Sequence, residues 1–234
     1  MSKQGNVGYR SALSALKALL CAGFLVMLAG SESVTAGDTE TREFRIFIDG
    51  KSKPAGEYHM KISRRADGSY EMTGQANVKV SYFVYHYHYS YKGTEVWKDN
   101  RLIELRSNSN DNGKRFAVSC AANGDRLRVE ANGASRTVRG DTWLTSYWHA
   151  PPKNFRNRAI PLLDADTGKE LNATLHYVGT AQINVAGRSQ SCTQYRVSGD
   201  VQTNLWYDAH DRLVREDSME DGHRTVFELV RISE

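Results

Sequence analysis

From Gly37 onward the chain alternates apolar and polar positions with a period of two. Phe44, Ile46 and Ile48 alternate with Arg45, Phe47 and Asp49, and Tyr58, Met60 and Ile62 alternate with His59, Lys61 and Ser63. This is the pattern of a strand with one face buried. Between such runs stand pairs that favour tight hairpin turns: Asp67-Gly68, Asp99-Asn100, Asn112-Gly113, Asn123-Gly124, Asn132-Gly133, Thr167-Gly168, Ala186-Gly187 and Asp221-Gly222. The pattern predicts strands over 43–49, 57–65, 70–80, 83–97, 101–110, 114–122, 126–131 and 135–140, then 170–178, 181–186, 190–198, 201–207, 213–218 and 224–232. One irregular stretch separates the two series. Thr142 to His149 is predicted as two helical turns, with Asp141 as N-cap and Pro151-Pro152 as the stop, followed by a loop through Arg158. The expected fold is all-β: a single curved antiparallel meander, barrel-like or half-barrel, with one short helix in a crossover.

The first residues follow a different rule. Met1 to Lys17 carries Lys3, Arg10 and Lys17 and no acid, and Ala18 to Gly30 is an uncharged apolar run. That is the length of a signal-peptide core; a spanning helix needs roughly 20 apolar residues. With the small-x-small site Val34-Thr35-Ala36, the expectation is a signal peptide over 1–36, cleavage near Ala36, and one antiparallel β domain over 37–234 in the periplasm, with no membrane span after leader removal. Cys21 belongs to the apolar run, since Leu20 precedes it where a lipoprotein signal needs a small residue. Removing Lys3, Arg10 and Lys17 from 31 basic residues, and Glu32 from 27 acidic ones, leaves 28 against 26. So small a balance argues against nucleic acid as a partner.

The densest aromatic run is Tyr82 to Trp97, YFVYHYHYSYKGTEVW. On a strand, Phe83, Tyr85, Tyr87, Tyr89 and Tyr91 share one face, and His86 and His88 share the other. Cross-strand packing accounts for such a ladder by itself. A ligand surface is the functional alternative, because phenols combine an apolar body with a polar tip. Tyr85, Tyr87, Tyr89, Tyr91, Trp97 and Trp148 are accordingly the candidate ligand-binding residues. His86 and His88 have the spacing of two metal ligands on a strand, yet a zinc site needs about four ligands and no accompanying motif supplies them. No nucleophile elbow, S-x-x-K or phosphate loop occurs, so no catalytic residue and no cofactor is assigned.

Cys120 and Cys192 are the cysteines outside the leader. An oxidising compartment permits a bridge, closing a loop of about 72 residues worth roughly 4 kcal/mol. Strand parity points the other way: Cys120 shares a face with Phe116 and Val118, whereas Cys192 lies opposite Tyr195 and Val197. The sequence leaves the pairing open.

Phe44-Arg-Ile-Phe-Ile-Asp-Gly50, Ala55-Gly56-Glu57, Gly93-Thr-Glu-Val-Trp-Lys-Asp-Asn-Arg-Leu102, Thr145-Ser-Tyr-Trp148 and Leu205-Trp-Tyr-Asp208, in that order, resemble a bacterial family of exported proteins known as domain of unknown function 6134, and more distantly the 3108 family. The resemblance spans about 44–232, implies a barrel-like antiparallel sheet in the periplasm or envelope, and brings no catalytic residues. His149 follows Tyr147-Trp148 where Asn is expected. Two classes of function remain. One is a non-catalytic envelope protein binding an apolar or amphipathic small molecule, or an envelope protein partner, in the concavity of the sheet. The other is a hydrolase or metal-dependent enzyme using histidines near Tyr147-Trp148-His149.

Overall fold

The alternating runs become one continuous sheet. The structure, a computed structural model, describes residues 39–82, 85–220 and 222–234, with only the backbone of Tyr82 and Tyr85. The predicted leader and cleavage site, Cys21 and Phe83 lie outside the described residues. The strands are β1 (Thr39–Ile48), β2 (Gly56–Arg64), β3 (Tyr70–Tyr82), β4 (Tyr85–Lys98), β5 (Arg101–Asp111), β6 (Lys114–Asn123), β7 (Arg126–Ala131), β8 (Ala134–Arg139) and β9 (Trp143–Leu144). They continue as β10 (Arg158–Leu163), β11 (Glu170–Val185), β12 (Arg188–Gly199), β13 (Gln202–Tyr207), β14 (Leu213–Glu220) and β15 (His223–Ser233). The predicted hairpins form where the turn pairs stood: Asp99-Asn100, Asn112-Gly113, Asn132-Gly133 and Ala186-Gly187 all have two consecutive residues at positive φ, as a two-residue turn matched to strand twist requires. Among the described residues, no helix is long and apolar enough to cross a membrane.

Neighbouring strands pair in sequence order from β1 to β8 and from β9 to β15, and β1 pairs β15, giving one 15-stranded sheet edged by β8 and β9. Laid flat, that sheet would be about 67 Å wide at 4.8 Å a strand. Yet only Gly140, Asp141 and Thr142 separate the last residue of β8 from the first of β9, a span of at most about 15 Å at 3.8 Å a step. The sheet must therefore curl until its two edges nearly meet. It is an open, curved, barrel-like sheet whose first and last strands are zipped and whose gap lies at the irregular stretch.

That stretch is not a helix, which corrects the prediction for 141–149. Trp143 and Leu144 pair in parallel with Leu162 and Leu163 of β10. The chain then turns through Tyr147 at φ 46°. Helix formation here would rest on Thr, Trp and Tyr, which are weak helix formers. Its backbone carbonyls find donors elsewhere instead: the Tyr207 hydroxyl donates to Tyr147 O at 3.0 Å, and Arg42 Nη1 donates to Trp148 O. Asp141 does not cap; it holds Arg139. Among the described residues the one helical turn is a 3₁₀ segment, Lys153–Phe155. β9 and β10 were absent from the prediction because β10 ends in four consecutive buried residues, with no alternation to detect. The predicted strands 170–178 and 181–186 are one strand, β11, with a bulge between Tyr177 and Gly179.

The inner loops fill the hollow. Asp164 organises the β10–β11 loop, accepting from Asp166 N at 3.0 Å and from Thr167 Oγ1 at 2.6 Å. The loop lies on β5 through Ser107, which donates to Ala165 O, and Ser109, which donates to Asp166 O. Gly168, at φ +72°, lies so close to β6 and β7 that a Cβ would stand 2.9 Å from the Ala131 methyl. Elsewhere Gly74 and Gly93 face each other across β3 and β4. The Tyr58 and Tyr91 rings lie over them, occupying the space a Cβ would take, an aromatic cover that offsets the missing side chains.

Cys120 and Cys192 are both buried and free. They do not form the bridge the oxidising reading allowed, because β6 and β12 are separated in the sheet by eight intervening strands.

Replacing Gly93 by Ala places a Cβ 2.1 Å from the Tyr91 hydroxyl oxygen. Urea unfolding should show a loss of about 1–3 kcal/mol, the usual cost of overpacking; an unchanged midpoint would mean that the ring does not cover this glycine.

Candidate functional site

Register and parity send the even and odd positions of β4 to opposite sides. Tyr87, Tyr89, Tyr91 and Glu95 point inward with the buried core, while His86 and His88 are exposed on the outside. His86 Nδ1 lies 3.2 Å from Ser81 Oγ. Among the described residues, no group of three or more His, Cys, Asp or Glu side chains is placed to hold a metal ion.

Burial along the ladder increases from Tyr87 to Tyr91. Tyr91 is 5% exposed, whereas Tyr87 and Tyr89 are only half-buried. The reason is length: β4 outruns β5 at its N-terminal end, where Tyr89 pairs with the final residue of β5, Asp111. Tyr89 donates to Asp166. Glu216 also faces inward, between Leu205 and Phe227 on the neighbouring strands. Both carboxyls are enclosed by protein yet partly open to solvent from that end of the sheet. Burial, then neighbouring acids, pushes Asp166 up to about 7 and Glu216 up to about 8.

Trp97 and Trp148, the other two predicted ligand residues, come together at the opposite end. Glu95 Oε2 accepts from Trp97 Nε1 at 2.7 Å and from Trp148 Nε1 at 3.0 Å. Glu95 is wholly buried, and its Oε1 has no partner although Ser146 stands alongside. Burial, opposed by the hydrogen bonds, pushes its carboxyl up to about 7. His149 meets both indoles edge-on, with ring centroids 4.8 Å from Trp97 and 4.5 Å from Trp148. Its Nδ1 lies 3.0 Å from Ala150 O. Burial drops its imidazole to about 4, so it is neutral near pH 7.

This cluster borders a cleft of about 820 Å³ formed by the start of β1, the end of β2, the β4–β5 turn and the turn before β14. One wall is aromatic: Tyr70, Trp97, Trp148 and His149. The other is ionic. Glu40 bridges Arg42 and Arg212, and Arg212 Nε donates to Asp208 at 2.8 Å. None of these charged residues was picked out from the sequence. Their signal, Glu40 and Arg42 two apart at a strand start, is common on any solvated strand.

A carboxyl whose folded value is raised keeps its proton where the unfolded chain loses it, so its contribution to stability is full below the ordinary value near 4.5 and declines as pH rises through 7. Glu95→Gln should therefore gain on the parent by on the order of 1–3 kcal/mol at pH 8 and little at pH 4. Glu95→Leu, which orphans two buried indole N–H groups, should lose stability at both. Urea midpoints at the two pH values check this; a pH-independent difference between Glu95→Gln and the parent would contradict the raised carboxyl.

The segments that carry the family resemblance thus converge in space. Gly93 to Trp97 and Thr145 to Trp148 meet at Glu95, and Tyr207 bonds the backbone of Tyr147. Among solved structures, a beta-barrel-like protein of domain of unknown function DUF1849 from Brucella abortus is similar in fold, with a TM-score of 0.60 at 9% identity, covering 83% of this chain and 97% of that one. No curated protein matches the sequence. The model of the family described as Domain of unknown function (DUF6134) matches residues 44–230, and the chain belongs to that family.

Proposed function

We propose that the protein is exported to the periplasm or cell envelope after cleavage near Ala36, and that it binds an amphipathic ligand or a segment of an envelope partner in the cleft beside Trp97 and Trp148. The observation that carries the binding reading is the cleft itself. Its volume of about 820 Å³ falls within the roughly 300–1,000 Å³ typical of ligand sites. It sets an aromatic wall against an ion-paired one, so an apolar body and a polar head each find a matching surface. The Tyr87–Tyr91 ladder, the other candidate, supports this site indirectly: Tyr91 packs in the core that carries Glu95. The export reading draws on the charged start, short apolar run and small-x-small site of the first 36 residues. Burial favours binding over a histidine-centred enzyme, because an imidazole lowered to about 4 is a poor proton acceptor and donor pair near neutrality.

N-phenyl-1-naphthylamine, a neutral apolar probe, should bind the parent saturably. Ala150→Phe, which fills the cleft, should weaken binding about tenfold or more with a near-parental melt, and Tyr177→Ala, an exposed aromatic elsewhere, should leave it unchanged. Equal probe binding by parent and Ala150→Phe would overturn the assignment to this cleft. Intact mass of the protein from a periplasmic extract should show a chain starting near Gly37; a retained leader or an acyl mass on Cys21 would overturn the export reading.

A further inference from the structure

A second pocket, of about 410 Å³, opens between β6, β8 and the β10–β11 loop, lined by Lys114, Phe116, Arg136, Thr167, Lys169 and Glu170. Its charge differs from that of the cleft. In the cleft the arginines are matched by carboxylates. Here three of the six lining side chains are cations, and among the described residues neither these three nor the one acid, Glu170, is in an ion pair.

Arg136 is the centre of the argument. It pairs with Val129 across β7 and β8 and shares a strand face with the buried Val138, so it points to the inner face of the sheet. Its charge reaches as far as the buried Cys120 thiol on β6. Nε and Nη2 are both buried and neither has a hydrogen-bond partner. These two nitrogens form one edge of the guanidinium, the edge that holds an oxyanion side-on through two parallel bonds. Unpartnered buried donors are unfavourable, and native structures rarely leave them without an acceptor. The surrounding groups complete an anion site. Lys114 Nζ lies 4.9 Å from the centroid of the Phe116 ring, so the ring holds the ammonium at the pocket without neutralising it. Thr167 and Lys169 flank Gly168, whose backbone seats tightly against β6 and β7.

We propose that this pocket binds the phosphate group of a phosphomonoester, with Arg136 gripping two oxygens side-on and Lys114 and Lys169 balancing the charge. Lys114, Arg136 and Lys169 less Glu170 leave a net charge of +2, which a phosphate dianion balances and a single carboxylate only halves. Phe116 gives the organic part of the ester an apolar surface. The phosphate belongs either to a soluble ester or to a lipid headgroup, and the two are separable by experiment.

Titration calorimetry of the purified protein with inorganic phosphate and phenyl phosphate, and sedimentation with phosphatidylcholine vesicles with and without phosphatidic acid, tests this. The expected result is binding that weakens with added salt, tighter for phenyl phosphate than for phosphate if the ester is soluble, or confined to vesicles containing phosphatidic acid if it is a lipid. Arg136→Gln should weaken binding about tenfold or more while its ligand-free melting temperature stays level or rises, since two buried, unpartnered donors of a half-buried side chain are removed. Lys169→Gln, on the exposed rim, gives the same test with less risk to folding. Phosphate should raise the melting temperature of the parent and not that of Arg136→Gln. No response to any of these phosphates up to about 10 mM, or equal affinity in the parent and both variants, would overturn the proposal.

Discussion

Everything in this fold depends on the three residues between β8 and β9. They tie together the two edges of a 15-stranded sheet, and a sheet of that width joined at its edges by so short a link cannot stay flat. Curling produces an interior, and an interior lined by strands on all sides needs filling. The chain fills it with its own irregular segments, the run from Trp143 to Ala150 and the loop from Asp164 to Lys169. Because these carry backbone into the core, their carbonyls and amides need partners there. Tyr207, Arg42, Ser107, Ser109 and Asp164 supply them.

The buried polar groups are consequences of that plugging. Glu95 sits in an otherwise apolar wall because two indole N–H groups, one from the sheet and one from the plug, need an acceptor at the same place. The arrangement fixes the angle of Trp148 and with it the aromatic side of the cleft. The raised carboxyl is the cost of burying it, and an environment that shifts a carboxyl this far is typical of sites as well as of structural networks. At the other end of the sheet Asp166 and Glu216 share a similar fate with fewer partners. That end is more open, since β4 extends past its neighbour β5.

Two pockets of different character result. The cleft at the Trp148 end is bordered by matched charges and aromatic faces, which suits an amphipathic body. The pocket beside Phe116 has unmatched positive charge and an unoccupied guanidinium edge, which suits an oxyanion. Both are made where a plugging segment meets the sheet wall, the places where packing of irregular backbone against regular backbone leaves gaps.

The sequence by itself determined the strands and turns, since a period of two and pairs such as Asn112-Gly113 and Asn132-Gly133 are local signals read within a few residues. It also placed the break between the two strand series correctly, and its ordered motifs identified the family over almost the whole described domain. It could not show that the break is an interior plug. Thr142 to His149 looks like a weak helix until Arg42 and Tyr207, about 100 and 60 residues away in the chain, take up its carbonyls. Nor could alternation reveal β10, whose buried end has no polar face. The order of burial along Tyr87, Tyr89 and Tyr91 depended on where β5 ends, and the separation of Cys120 from Cys192 on strand order. Trp97 and Trp148 were legible as candidates, being large aromatics in distinctive segments. Glu95, Arg42 and Arg136 were not, because a charged residue in an alternating strand reads as solvated surface, and only the curvature of the sheet makes their face an interior; nor was Arg212, which reads as part of the turn before β14.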